Sequence, residues 1–254
     1  SKEDQRSQLD LMDKLNRMQI GQRDDASELN ARIEAAELAF RMQMSAPEAV
    51  DLSQETPETL AMYGVTGTKQ PPRLSRTLTE SPADFGRMCL TARRLVERGV
   101  RVVSISVGGR RGWDQHSNLR ASLKRNTAIT DQPIAALLTD LRRRGLLDET
   151  LVLWGGEFGR TPTAENAEKT DGRAHHPRGY TMWLAGGGTK AGLTYGKTDE
   201  LGAKIVENKV HIHDLHATLL WLMGLDHRQL TYRYGGRDQT IADIHGKVVD
   251  GIFA

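Results

Sequence analysis

Apolar positions in the first part of the chain recur at helical spacing. Leu11, Leu15 and Met18 form one stripe between Lys2 and about Met18, and Gly21 breaks it. Leu29, Ile33, Ala36 and Phe40 form another between about Ala26 and Met44. The polar stretch Gln22 to Asp25 reads as the turn of an antiparallel helical pair. A packing or interaction hairpin is the simplest reading of it, and a third role, self-association, is a weaker one. From Ser45 to Ser81 the pattern fades. Pro47, Pro57, Pro71 and Pro72 punctuate it with Gly64 and Gly67, and only Thr56 to Tyr63 reads as a short helix. The rest is an ordered surface excursion or a lid.

A different rhythm then begins. Ser81-Pro82-Ala83-Asp84 is a helix start, with Ser as cap, Pro in the first turn and an acid at the third position. Phe85, Met88, Cys89, Ala92, Leu95 and Val96 supply an apolar face that Gly99 ends. Val100 to Val107 reads as a buried strand. Asp131 and Pro133 open a further helix, closed by Gly145. Leu151 to Trp154 is a second strand, Tyr180 to Ala185 a third, and Lys209 to Ile212 a short fourth. Asp214 reads as the cap of a helix carrying Leu215, Leu219, Leu222 and Met223. A polar loop around Tyr232 to Asp238 and a last short helix near Ile241 to Ile252 follow. Helix alternating with strand predicts an α/β fold. Residues 1–80 read as a helical hairpin and irregular excursion of the same domain, and 81–254 as the α/β core.

Composition narrows the classes. The 254 residues are 38% hydrophobic and 27% charged, with a net charge of +2, a balance of a globular chain without a nucleic-acid footprint. No stretch approaches the ~20 apolar residues of a membrane span. Cys89 is the single cysteine, which excludes an internal disulfide and a Cys-type zinc site; its place on an apolar helix face predicts burial. All eight histidines lie after residue 115, so the chemistry is expected in the second half.

Three stretches there carry it. Asp114 and His116 are two apart in a Gly-rich loop after a strand, so on extended backbone both side chains face one way. Their plain structural roles would be a turn cap and a surface residue. Glu157 follows Leu151–Trp154 through Gly155-Gly156 and can reach a ligand or pair with Arg160. Arg160 can instead hold an anionic substrate oxygen, because its planar fork suits phosphate or sulfate. His175-His176-Pro177 lies in a polar loop. Adjacent side chains point apart, and Pro177 restrains His176, so His176 is the preferred ligand of the two. Asp114, His116, Glu157, His175 and His176 together offer the oxygen and nitrogen donors that zinc, manganese or calcium accepts. His211, His213, Asp214 and His216 read mainly as a helix start, with His213 a further candidate.

The order of strand, D-x-H, strand, acid with Gly, His loop, strand and capped helix is similar to the carboxy-terminal half of the alkaline phosphatase and sulfatase superfamily. A closer resemblance is to a bacterial family called domain of unknown function fifteen-oh-one, whose members look sulfatase-like. It is carried by Gly112 to His116, Trp154 to Pro162, His175-His176-Pro177, His213 to Thr218, and Leu230 to Tyr234 with Gly236-Arg237-Asp238. The resemblance implies a three-layer α/β/α fold with a mostly parallel sheet, alkaline-phosphatase-like and incomplete here, behind an N-terminal helical hairpin. It implies Asp114, His116 and His176 at one metal and Glu157 at another. It implies hydrolysis of a sulfate or phosphate ester, small or polysaccharide, by an exported protein with a twin-arginine signal. Phe158 stands where the superfamily usually has His or Asn, and Ala174 where the family has Asp. Nothing in residues 1–100 resembles the superfamily's nucleophile turn, so the chain reads as a carboxy-terminal portion and no nucleophile is named. The rival expectation is a non-catalytic binding or scaffold protein.

Overall fold

A computed structural model describes residues 2–20, 27–65, 81–107, 112–165, 171–243 and 245–254. It divides into two compact units, Ser1–Glu55 and Thr56–Ala254. The first holds α1 (Lys2–Ile20) and α2 (Ser27–Val50). Arg6 ties them: its guanidinium donates to Glu37 of α2 at 2.7 Å and sits 5.4 Å over the Phe40 ring. Helix α2 runs six residues past the expected end at Met44, through Pro47 to Val50. Proline removes one backbone donor there without stopping the helix, and Asp51 still donates to the Pro47 carbonyl at 3.2 Å. The stripe of Leu11, Leu15 and Met18 is exposed. The expected turn at Gln22 to Asp25 and the proline pair at 71–72 lie outside the described residues.

The second unit is built on two helices. The first, preceded by the short α3 (Pro57–Met62), is α4 (Pro82–Glu97). Ser81 caps it as its sequence predicts, accepting from the Asp84 amide at 3.2 Å. Its buried face of Phe85, Cys89 and Leu90 packs against Ala136, Leu137 and Leu141 of α5 (Leu119–Arg143). Burial pushes the Cys89 thiol up to about 12, so it packs as a small apolar residue. Between the helices lies a buried ion network. Asp140 accepts from Tyr63 at 3.1 Å and from Arg144 at 2.8 Å and forms an ion pair with Arg93 at 2.9 Å, and Arg144 also reaches Glu97 at 2.8 Å. Removing one member strands charge in the core, and that is costly. Asp140→Ala is therefore expected to lower unfolding free energy by about 3 kcal/mol in a urea titration. A loss under about 1 kcal/mol would show that water relaxes around Arg93.

Helix α5 corrects the expected start at Asp131. It begins at Leu119 and passes through the buried Pro133. Its cap comes from a distant part of the chain: Asp171 accepts from the Leu119 and Arg120 amides at 3.0 and 3.2 Å. No local sequence signal carries such a cap.

The unit mixes helix and strand, and its sheets are small and antiparallel. β1 (Val152–Trp154) pairs with β4 (Trp183–Ala185), matching Trp154 to Trp183. β2 (Gly159–Ala164) pairs with β3 (Arg173–His176), β5 (Lys197–Thr198) with β6 (Ile205–Glu207), and β7 (Thr231–Tyr234) with β8 (Arg237–Thr240). Residues 100–107, expected as a buried strand, join no ladder among the described residues, and Val102 is 71% exposed. An apolar run becomes a strand only beside a partner, and none of the described residues supplies one. The strand expected at Lys209 to Ile212 is displaced to β6, and Ile212 instead opens α6 (Ile212–Leu222). There His211 is the cap, and Asp214 closes a capping box by accepting from the His211 amide at 2.8 Å. The expected polar loop at Tyr232 is the β7–β8 hairpin. In place of a helix near Ile241 to Ile252, the described residues there form a single 3-10 turn at Asp250–Ile252.

Candidate metal centre

The loop after residue 111 is fixed before it presents any ligand. The side chains of Gln115 and Asn126 both donate to the Gly112 carbonyl. Trp113 packs edge-on against Trp154 at the end of β1, with centroids 5.8 Å apart. The loop is then stitched to β3: Arg173 donates its amide to the Gln115 carbonyl at 3.0 Å. Gly172 makes this approach possible, because a Cβ there would lie 1.9 Å from the His116 carbonyl oxygen.

The β2–β3 ladder supplies the other groups. Arg160 and His175 are register partners, so their side chains leave the same face. Both meet Asp114. Its Oδ1 accepts from Arg160 Nη1 at 2.5 Å and from His175 Nε2 at 3.0 Å, and His116 Nε2 lies 3.0 Å from it. Asp114, His116 and His175 each offer one ligand atom, all within 4.8 Å of one another. The His175 hydrogen bond, then Arg160, holds the Asp114 carboxyl down to about 2 against the opposing effect of desolvation. His116 is raised, first by its hydrogen bond to Glu165. A charged ring is favoured there because each of its nitrogens faces a carboxylate.

The remaining candidates lie apart. His176 follows His175 on the strand and leaves by the other face. Its Nε2 is buried beside Gly179 and makes no hydrogen bond among the described residues. Glu157 is 66% exposed and stands outside the cluster, with Oε1 3.6 Å from Arg160 Nη2. Phe158 is a wall, its ring 4.6 Å from that of His175 and 5.7 Å from the Arg160 guanidinium carbon. His213 approaches Asp243 at 3.9 Å, well away in sequence from these ligands, and His211 serves as a helix cap. Two acidic residues between β2 and β3, Glu165 and Asp171, were not singled out by sequence. Glu165 reaches His116 Nδ1 at 2.6 Å, and Asp171 caps α5. Their only sequence signal is acidity in a stretch between two histidine-bearing segments.

One carboxylate oxygen and two imidazole nitrogens form a mixed donor set suited to zinc or manganese; calcium prefers all-oxygen shells. Three protein ligands also leave coordination positions free, as at catalytic sites. The family model described as Protein of unknown function (DUF1501) matches residues 1–253. The chain belongs to that family. No curated protein and no solved structure matches it. The DUF1501 match spans both compact units, so the helical hairpin and the ligand cluster fall within one family pattern.

Proposed function

We propose that this DUF1501 chain holds a divalent zinc or manganese ion at Asp114, His116 and His175 and serves the hydrolysis of sulfate or phosphate esters. The observation that carries this reading is the convergence of Asp114, His116 and His175 beside a guanidinium, Arg160. A bound divalent ion supplies Lewis acidity toward an ester oxygen. Arg160 supplies a planar fork for the non-bridging oxygens of the same tetrahedral group. Phe158 shields one side from water. The sulfatase-like resemblance supports a mostly parallel three-layer core, an exported protein and a polysaccharide ester among the substrates. The order of α5 followed by β1 is consistent with a helix-and-strand core of this kind.

Elemental analysis of the purified chain tests the reading: about one zinc or manganese per chain is expected after dialysis against metal-free buffer. Protons compete for His116, whose ordinary value is raised, so retention is expected to fall as pH drops through a range above that of a free histidine. A folded chain that retains no metal from zinc- or manganese-supplemented buffer at pH 8 rules the site out. A second reading, a non-catalytic metal-binding module, is favoured by one observation. Glu157 points to Arg160 and not to the cluster, which leaves a second metal position without its acid.

A further inference from the structure

The shortest contact to the histidine pair comes from outside the ligand set. Glu165 Oε2 lies 2.6 Å from His116 Nδ1, while Nε2 of the same ring faces Asp114 Oδ1 at 3.0 Å. Glu165 is not one of the residues whose atoms converge on a common ion position. Its backbone is anchored nonetheless. The Glu165 amide donates to the Gly172 carbonyl at 3.3 Å, which extends the β2–β3 pairing past Ala164 and Arg173. The carboxylate therefore stands on the ladder that also places His175 and Arg160.

We propose that Glu165 is the positioning residue of His116: it accepts the Nδ1 proton and so commits Nε2 to the metal. This rests on the metal reading above. A neutral imidazole carries one N–H, and either nitrogen can hold it. A carboxylate at Nδ1 keeps the proton there and leaves the Nε2 lone pair for a cation. When the ion takes Nε2, the proton on that nitrogen leaves to solvent and the Nδ1 proton stays with Glu165. The ring stands at the surface. Its side chain is 43% exposed, and the neighbouring His175 ring is a tilted contact at 5.0 Å. Glu165 is itself 44% exposed, so its carboxylate is not a core group and its loss leaves the fold intact.

The test uses the full chain, with zinc as the probe. Zinc is titrated calorimetrically into the unaltered protein, Glu165→Ala and Glu165→Asp. Long-range nitrogen NMR reads which His116 nitrogen is protonated in the metal-free form, at a pH where the ring is neutral. Glu165→Ala is expected to bind zinc about 10–100-fold more weakly and to lose the single Nδ1–H signature. Glu165→Asp is expected to recover most of both, and metal-free melting temperatures are expected to stay together. Unchanged zinc affinity in Glu165→Ala overturns the proposal and leaves the metal site standing. So does a weakened affinity with His116 still protonated at Nδ1 alone, because Glu165 then does not set the tautomer. If the unaltered, folded protein takes up no zinc, the metal reading fails and this proposal fails with it.

Discussion

His175→Ala is expected to abolish metal retention, and His176→Ala to leave it nearly unchanged. The two residues are adjacent, so the pair separates geometry from composition. His175 is the register partner of Arg160 and donates to Asp114 Oδ1 at 3.0 Å. His176 leaves the other face of β3, toward Gly179. An outer partner of a metal ligand is worth about 10–100-fold in affinity, so losing a direct nitrogen ligand costs more than about 100-fold. Combining His175→Ala with Asp114→Ala removes two of the three donors and is expected to leave metal at background. Circular dichroism of each variant guards against misfolding. The His175 and Asp114 side chains are each more than 40% exposed, so neither of those deletions opens a core cavity. Elemental analysis after dialysis reads the outcome. Loss in His176→Ala with retention in His175→Ala would mean that β3 shifts register by one residue when metal binds, because a one-residue slip exchanges the faces of a strand.

That contrast also marks how far sequence reasoning reached. Helix starts written locally were legible: Ser81 caps α4, and Thr56 caps α3 by accepting from the Thr59 amide at 3.2 Å. The start of α5 was hidden because Asp171, some fifty residues away, supplies its cap. Residues 100–107 have a strand's composition, yet composition cannot name a partner. The D-x-H pair stood out in the sequence because alternate residues on extended backbone share a side. Choosing between His175 and His176 needed the β2–β3 register, which is set by the pairing of Gly159 with His176 and of Arg160 with His175. The proline argument concerned backbone restraint and carried no information about which face of the strand meets Asp114. Glu165 was invisible for the same reason: its role exists only once the β2–β3 ladder brings Glu165 to His116.

Arg160→Met is expected to strengthen metal binding and weaken anion binding at once. Arg160 Nη1 sits 2.5 Å from Asp114 Oδ1, an oxygen of the carboxylate that the proposed ion would share. A guanidinium and a divalent ion cannot share it cheaply. Two charges on one and one on the other, about 5 Å apart in a water-like dielectric, repel by about 1.5 kcal/mol, or about tenfold in affinity. The ion must also displace the charge-assisted hydrogen bond, which Met does not make. When displaced, the Arg160 side chain has a place to go: Glu157 lies 3.6 Å from its other terminal nitrogen, and the Phe158 ring lies beside it. From there the fork faces outward for a sulfate or phosphate group. Titrating zinc into Arg160→Met, with and without inorganic phosphate, separates the two roles. Tighter zinc binding together with loss of the phosphate effect supports an exchange in which metal and arginine take turns on Asp114. Arg160→Lys keeps the charge but not the fork, so it is expected to hold zinc affinity near that of the unaltered protein and still bind phosphate poorly. Weaker zinc binding in Arg160→Met would instead make Arg160 a structural partner that holds Asp114 in place, and the anion role would then rest on some other cation.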